Sequence, residues 1–156
     1  MAKVAVVMAE SGIPRSAHMH GPHPVPDVEL RVEARAENVA VVRHELSPYL
    51  RGLGVDRELL SDVLLAVTEA CANVVVHAYE GGPGSIDVTA WRSGQEVQIV
   101  VRDRGGGMRP RVDSPGLGLG LPVMMALASA VAIRPAEGGG TEVALAFSIE
   151  DAPESA

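Results

Sequence analysis

The chain has 156 residues, 47 % of them apolar and 3 % aromatic, and a formal charge of −7. That length suits one domain with a real core, and the shortage of aromatics leaves Val, Leu, Ala and Met to fill it. The acidic balance argues against a nucleic-acid binder, which would show a basic patch, and a single cysteine, Cys71, rules out an internal disulfide.

Residues 1–26 read as a flexible tail, because "GIPRSAHMHGPHPVP" is dense in Pro, Gly and His and has no helical or strand period. His18, His20 and His23 stand at spacings that a Pro-rich tail organises poorly for a metal. "KVAVVMA" is too short for a secretory leader, and no apolar stretch reaches the length of a membrane span. The chain therefore reads as cytoplasmic, with no membrane partner, and a lone cysteine fits a reducing compartment. Lys3 is the only lysine, so anion contacts in the domain must come from arginine, backbone N–H groups or a metal.

Residues 27–149 read as the domain. "DVELRVEAR" alternates apolar and polar and predicts a strand over 28–35. "AENVAVVRHELSPYLRGLG" places Val39, Val42, Leu46 and Leu50 at helical spacing, with Pro48 expected to bend or shorten the helix and Gly52 and Gly54 to end it. "DRELLSDVLLAVTEACANVVVHAYEGG" is the longest helical segment, with Asp56 as N-cap and Gly81 and Gly82 closing it. "SIDVTAWR" and "EVQIVVRD" form a hairpin around "SGQ". A glycine-rich loop, "RGGGMRPRVDSPGLGLG", leads into a short helix, "LPVMMALASAV", with Pro122 in its first turn. "AIRP" and "TEVALAFSI" pair around "AEGGG", and residues 150–156, "EDAPESA", read as an acidic tail. Strands and helices do not alternate, so a doubly wound parallel sheet is disfavoured. The order fits an α+β two-layer sandwich: a mixed, mostly antiparallel sheet covered on one face by helices.

Four features carry chemistry. On the longest helix Glu69, Asn73 and His77 recur every four residues, a polar row flanked by Ala70, Cys71, Ala72, Val74, Val75 and Val76. A solvent-facing edge is the plain reading, but the row is narrow and Asn73 is a poor helix former, which suggests a lined pocket. A carboxylate and an amide one turn apart suit a hard cation such as Mg²⁺, or the carboxylate acts as a general base. Cys71, inside the apolar run, reads as a small buried hydrophobe rather than an activated thiol. Asp103 ends a strand before Gly105, Gly106 and Gly107, where it can accept from an exocyclic amine while the glycines let the backbone approach a flat ring. Gly116, Gly118 and Gly120 precede a helix whose N–H groups favour an anion, without a P-loop lysine or a βαβ unit. Thr141 follows three glycines and opens the last strand.

Taken together, "EACANVVVH", "DRGGG", "GLGLPVM" and "GT" resemble the helix, D-x-G-x-G, G-x-G and Gly-Thr motifs of the GHKL ATP-binding fold of gyrase-type ATPases, heat-shock chaperones and histidine-kinase catalytic domains. Within that fold the chain looks most like the anti-sigma-factor serine kinases of bacterial sporulation and general stress control, over about residues 28–148. The resemblance implies ATP and Mg²⁺ as cofactors. It implies Glu69 as the base that deprotonates a substrate serine, Asn73 as the Mg²⁺ ligand, and His77 closing the pocket nearby. Asp103 would read the adenine amine with Thr141 in support, Gly105 and Gly107 would shape the adenine pocket, and Gly118 and Gly120 would offer N–H groups to the phosphates. The implied partners are a sigma factor and a phosphoacceptor anti-anti-sigma protein, docking on the side of the first helix with Arg43, and a homodimer is a common assembly.

One departure from the resembled pattern concerns the lid. Relatives often place an arginine just before its Gly-x-Gly, where this chain has Gly116; Arg104, Arg109 and Arg111 are the candidate substitutes. An ATP-binding regulator with little kinase activity is therefore the second reading. A histidine-kinase catalytic domain is disfavoured by the lack of a phosphoacceptor helix pair.

Overall fold

The structure, a computed structural model, describes residues 5–8, 25–106 and 117–149, with backbone alone at 5–8 and 117–119. Strands β1 (Ala5–Met8), β2 (Val28–Glu33), β3 (Ser85–Ser93), β4 (Glu96–Asp103), β5 (Ala130–Pro135) and β6 (Thr141–Ser148) form one sheet in the order β1-β5-β6-β4-β3-β2. The α-helices among the described residues are α1 (Ala36–Gly52), α2 (Arg57–Asn73) and α3 (Leu117–Leu127). All strand pairs are antiparallel except β1 with β5. The mixed, mostly antiparallel sheet is the expected one.

Alternation decides which face takes the helices. Ile86, Val88 and Ala90 of β3 are buried in a cluster with Val42, Leu46 and Leu50 of α1 and Val63, Val67 and Cys71 of α2. Asp87, Thr89 and Trp91 point to the opposite face. There they line a hollow with Arg31, Arg102 and Arg104, and no described helix covers it. β6 lies between β4 and β5 and is buried from Thr141 to Phe147, as a central strand should be.

The helix faces follow the sequence. Val39, Val42, Leu46 and Leu50 are the buried residues of α1, the four that the spacing selects. Pro48 does not shorten the helix as expected: α1 continues to Gly52, since Pro48 is exposed and the carbonyl it frees at His44 can meet water. Asp56 caps α2 as expected, its carboxylate accepting from Leu59 N at 2.8 Å.

Five expectations need correction. First, residues 5–8, inside the stretch read as a tail, form β1; "AVVM" is a continuous apolar run, which is how a parallel strand reads. Second, β2 ends at Glu33, two residues early, where Asn38 Nδ2 bonds the Glu33 carbonyl and the chain turns into α1. Third, the long helix changes character: after Asn73 a π turn runs over Val74–Ala78. Three β-branched valines in a row crowd the α turn there. Fourth, α3 begins at Leu117, inside the expected loop, so Pro122 falls in its second turn and removes the bond to the Gly118 carbonyl. Fifth, the stretch Arg57–Ala78 is long and apolar enough to cross a membrane. Its apolar character belongs to a core helix, with Val63, Ala66, Val67, Ala70 and Cys71 buried against α1 and the sheet.

Candidate functional site

Where β4 stops and β6 starts, α2 and α3 come together over the same end of the sheet. Glu69 is half-buried, and Asn73, 9 % exposed, is the last α residue of α2. Gly120 of α3 lies directly over both. A Cβ on Gly120 would stand 3.1 Å from Asn73 Nδ2, 3.3 Å from Asn73 Oδ1 and 3.5 Å from Glu69 Oε2. Any side chain at 120 would fill this space, so glycine is what keeps it open. Gly118 and Gly120 fall among the first four residues of α3, whose N–H groups have no partner within the helix. An amide and a carboxylate therefore approach one small volume against the first turn of α3, suited to a hard cation beside a helix start that favours an anion.

Among the described residues no group of three or more His, Cys, Asp or Glu side chains could hold a metal by itself. A cation here would rest on Asn73 Oδ1, with ligand oxygens and water completing its shell, and the Glu69 carboxylate stands beside it. That sparse donor set fits Mg²⁺, which keeps several waters and takes phosphate oxygens. His77 is half-buried in the π turn. A π turn closes at i+5, so His77 falls short of a full turn beyond Asn73, and the row is straight only for Glu69 and Asn73.

Asp103 ends β4 and is 1 % exposed. Opposite Ile86 in the ladder, its side chain shares the helix-covered face. Its Oδ1 accepts from Gly105 N at 2.9 Å and Thr141 N at 3.3 Å. Burial pushes this carboxyl above the ordinary carboxylate range, and the two N–H groups pull it back down. Thr141 is thus brought to Asp103 as expected, but through its main chain. Gly140, at φ +89°, makes that approach possible, since a Cβ there would meet the Asp103 carbonyl oxygen at 2.0 Å.

The turn after Asp103 docks on the end of the helix that carries Glu69. Gly106 N donates to the Ala78 carbonyl at 2.9 Å, and a Cβ on Gly105 would lie 1.9 Å from the same oxygen. Gly105 is required for this closeness. The sequence named Gly106 and the three glycines before Thr141 without these contacts, and Tyr79 was missed. Tyr79 OH donates to the Ser85 carbonyl at 2.6 Å and accepts from Arg104 N at 2.9 Å. The available signal was its place: one of few aromatics, directly after the polar row.

Other expected residues fall elsewhere. Arg104 turns away from the site, its Nε 3.4 Å from Asp87 on the face without helices. In this structure it does not reach the site. Gly107, Arg109, Arg111 and Gly116 lie outside the described residues. Arg43 donates from Nη1 to Thr68 Oγ1 at 3.3 Å, tying α1 to α2. Cys71 is fully buried and its thiol is pushed up to about 12 by that burial, so it is a core residue and no nucleophile.

Comparison with known proteins agrees with the fold. The family model described as a histidine kinase-like ATPase domain matches residues 32–147. A serine-protein kinase RsbW of Bacillus mycoides is 31 % identical over 78 residues, covering 50 % of this chain and 49 % of that protein. The chain thus spans about half the length of the curated RsbW relatives it matches. An anti-sigma F factor of Clostridium acetobutylicum is 29 % identical over 127 residues, covering 74 % of this chain and 89 % of that protein. A crystal structure of the RsbU and RsbW domains of a Mycobacterium tuberculosis protein superposes with a TM-score of 0.61 and 28 % identity, over 80 % of this chain and 32 % of that one. A family model that runs from β2 through β6, on a sheet and three helices arranged as described, places this chain in the histidine kinase-like ATPase domain family.

Proposed function

We propose that the chain is an ATP-binding anti-sigma factor with serine-protein kinase activity, acting in the cytoplasm. It would phosphorylate an anti-anti-sigma partner and sequester a sigma factor. The observation that carries this reading is the pairing of two half-sites on one helix end: Glu69 and Asn73 beneath Gly120, and Asp103 with Gly105 and Thr141 beyond Ala78.

Each residue has a role its surroundings support. Asp103 keeps Oδ1 on the backbone, and its other oxygen would accept from the adenine amine. Asn73 Oδ1 would hold Mg²⁺, which when bound neutralises phosphate charge. The N–H groups of Gly118 and Gly120 would bind phosphate oxygens, and His77 would flank the pocket. Glu69 would orient a serine hydroxyl of the partner and take its proton as the oxygen bonds to the γ-phosphorus and ADP leaves. Such chemistry needs placement and charge neutralisation more than covalent participation by the protein. The relatives' names, a serine-protein kinase and an anti-sigma factor, support the same reading.

The test is transfer of label from γ-labelled ATP to a candidate anti-anti-sigma domain. Glu69→Gln should keep ATP affinity within about twofold and lose about 10²–10⁴ in transfer rate, the range for a general base. Transfer at an undiminished rate in that variant would remove Glu69 from the mechanism. A second reading, a nucleotide-binding regulator that transfers little, is favoured by Gly116 standing where relatives often carry the lid arginine, with the Arg104 side chain beside Asp87 on the other face. Wild-type protein that binds ATP but leaves the partner unlabelled at long times would select it.

A further inference from the structure

We propose that Tyr79 is a positioning residue that sets the chain's preference for adenine, by fixing the turn that carries Asp103. The proposal rests on the reading of Asp103 as the adenine acceptor. Tyr79 follows the π turn, so the end of the catalytic helix delivers it. Its hydroxyl uses both of its bonding roles on main-chain groups. It accepts from Arg104 N, the residue next to Asp103, and donates to the carbonyl of Ser85, the first residue of β3. The phenol therefore bridges two chain segments that the ladder brings side by side, where Ile86 faces Asp103.

The ring itself has little freedom. Gly84 lies against it so closely that a Cβ there would meet Cδ1, Cε1 and Cζ at 2.3 Å. The Tyr79 carbonyl accepts from Gly82 N at 2.8 Å, which holds the following loop in the same place. Two residues after Arg104, Gly106 N is tied to the Ala78 carbonyl. The turn from Asp103 to Gly106 is thus fastened to the helix end by Arg104 and by Gly106, with Gly105 pressed between them.

This matters for recognition because a hydrogen bond to a base amine weakens steeply as its angle departs from linear. With the hydroxyl removed, Arg104 N–H and the Ser85 carbonyl lose their partner. The turn then drifts relative to the helix, and the Asp103 carboxylate drifts with it. Neither hydroxyl bond involves Glu69, Asn73 or Gly120, so the phosphate end of the site is spared. Tyr79 would act on which base is held, and not on whether phosphates are held.

The test is titration calorimetry of the full chain with ATP and with GTP, both with Mg²⁺, well below the melting temperature. Tyr79→Phe should weaken ATP binding by about tenfold, the effect of one lost hydrogen bond, and leave GTP binding unchanged within about twofold. Gly84→Ala, which displaces the ring and keeps the hydroxyl, should lower the ATP-to-GTP ratio in the same direction. Equal losses for both nucleotides would mean a purely structural role and overturn the proposal, as would no loss for either. Asp103→Asn, run alongside, separates the two levels. If Asp103→Asn binds ATP like wild type, the adenine assignment fails; if it loses ATP while Tyr79→Phe does not, only the role of Tyr79 fails.

Discussion

Burial holds the proton on Asp103 to higher pH than an exposed aspartate would keep it, while Gly105 and Thr141 N–H groups partly offset that cost. The sign of the consequence follows from proton linkage. Between the unfolded value, near pH 4, and the higher folded value, the folded chain binds more protons than the unfolded one. Stability therefore falls as pH rises through that window, and the full cost is present above it. Asp103→Asn keeps an oxygen for the two N–H groups and removes the buried charge. At neutral pH it should raise the melting temperature, by about 2–4 °C for each kcal/mol of burial cost removed in a domain this size. That gain should fade as pH approaches 4, and ATP affinity should be lost throughout. A calorimetric melt at pH 7 and pH 4 checks this, and a variant that is less stable at pH 7 would show that the charge is already compensated in the fold. A buried carboxylate that costs stability is a usual mark of a functional site. The sequence made Asp103 a candidate through its glycine neighbours. It could not show that Thr141, 38 residues away, reaches it through a main-chain N–H.

The π turn and the glycine turn are one unit, since Ala78 ends the first and its carbonyl receives the second. Gly105 has no positive φ, so its requirement is closeness alone. Gly105→Ala should destabilise by about 1–3 kcal/mol, the cost of overpacking a fixed contact. It should lower the urea midpoint without changing the slope. Gly52→Ala is the matched control, because a Cβ there meets nothing within 4 Å. It should stabilise by about 0.4–1 kcal/mol by restricting the unfolded chain. Equal effects at the two positions would mean that the Ala78 contact is not tight. Elements of this kind were partly legible. Val39, Val42, Leu46 and Leu50 disclosed α1 because one period ran uninterrupted, and Asp56 announced α2. The π turn was hidden because Val74, Val75 and Val76 are apolar in every register, so no period marks where the helix widens. The first turn of α3 was hidden because alternating glycines read as a loop. Only its packing over Asn73 shows why a helix holds there.

Across the whole molecule, the element order alone was enough to choose an α+β sandwich, because two antiparallel hairpins and three helices leave few ways to cover one sheet face. The placement of the last strand was not available in the same way. β6 inserts between β4 and β5, so the residue that opens it, Thr141, sits beside the residue that ends β4. The candidate site is therefore assembled from α2, β4, α3 and β6, and a nucleotide touching all four would tie the molecule together. Binding to the folded state alone stabilises it by mass action, about 2.7 kcal/mol when ligand is at 100 times its Kd. ATP with Mg²⁺ at that concentration should raise the melting temperature by about 5–10 °C, as one displaced transition in which all four elements melt together. The same addition should leave Asp103→Asn unmoved. A shift of equal size in that variant would place the nucleotide away from β4, and a melt that splits into two steps on adding ATP would mean that the elements around the site are not held as one unit.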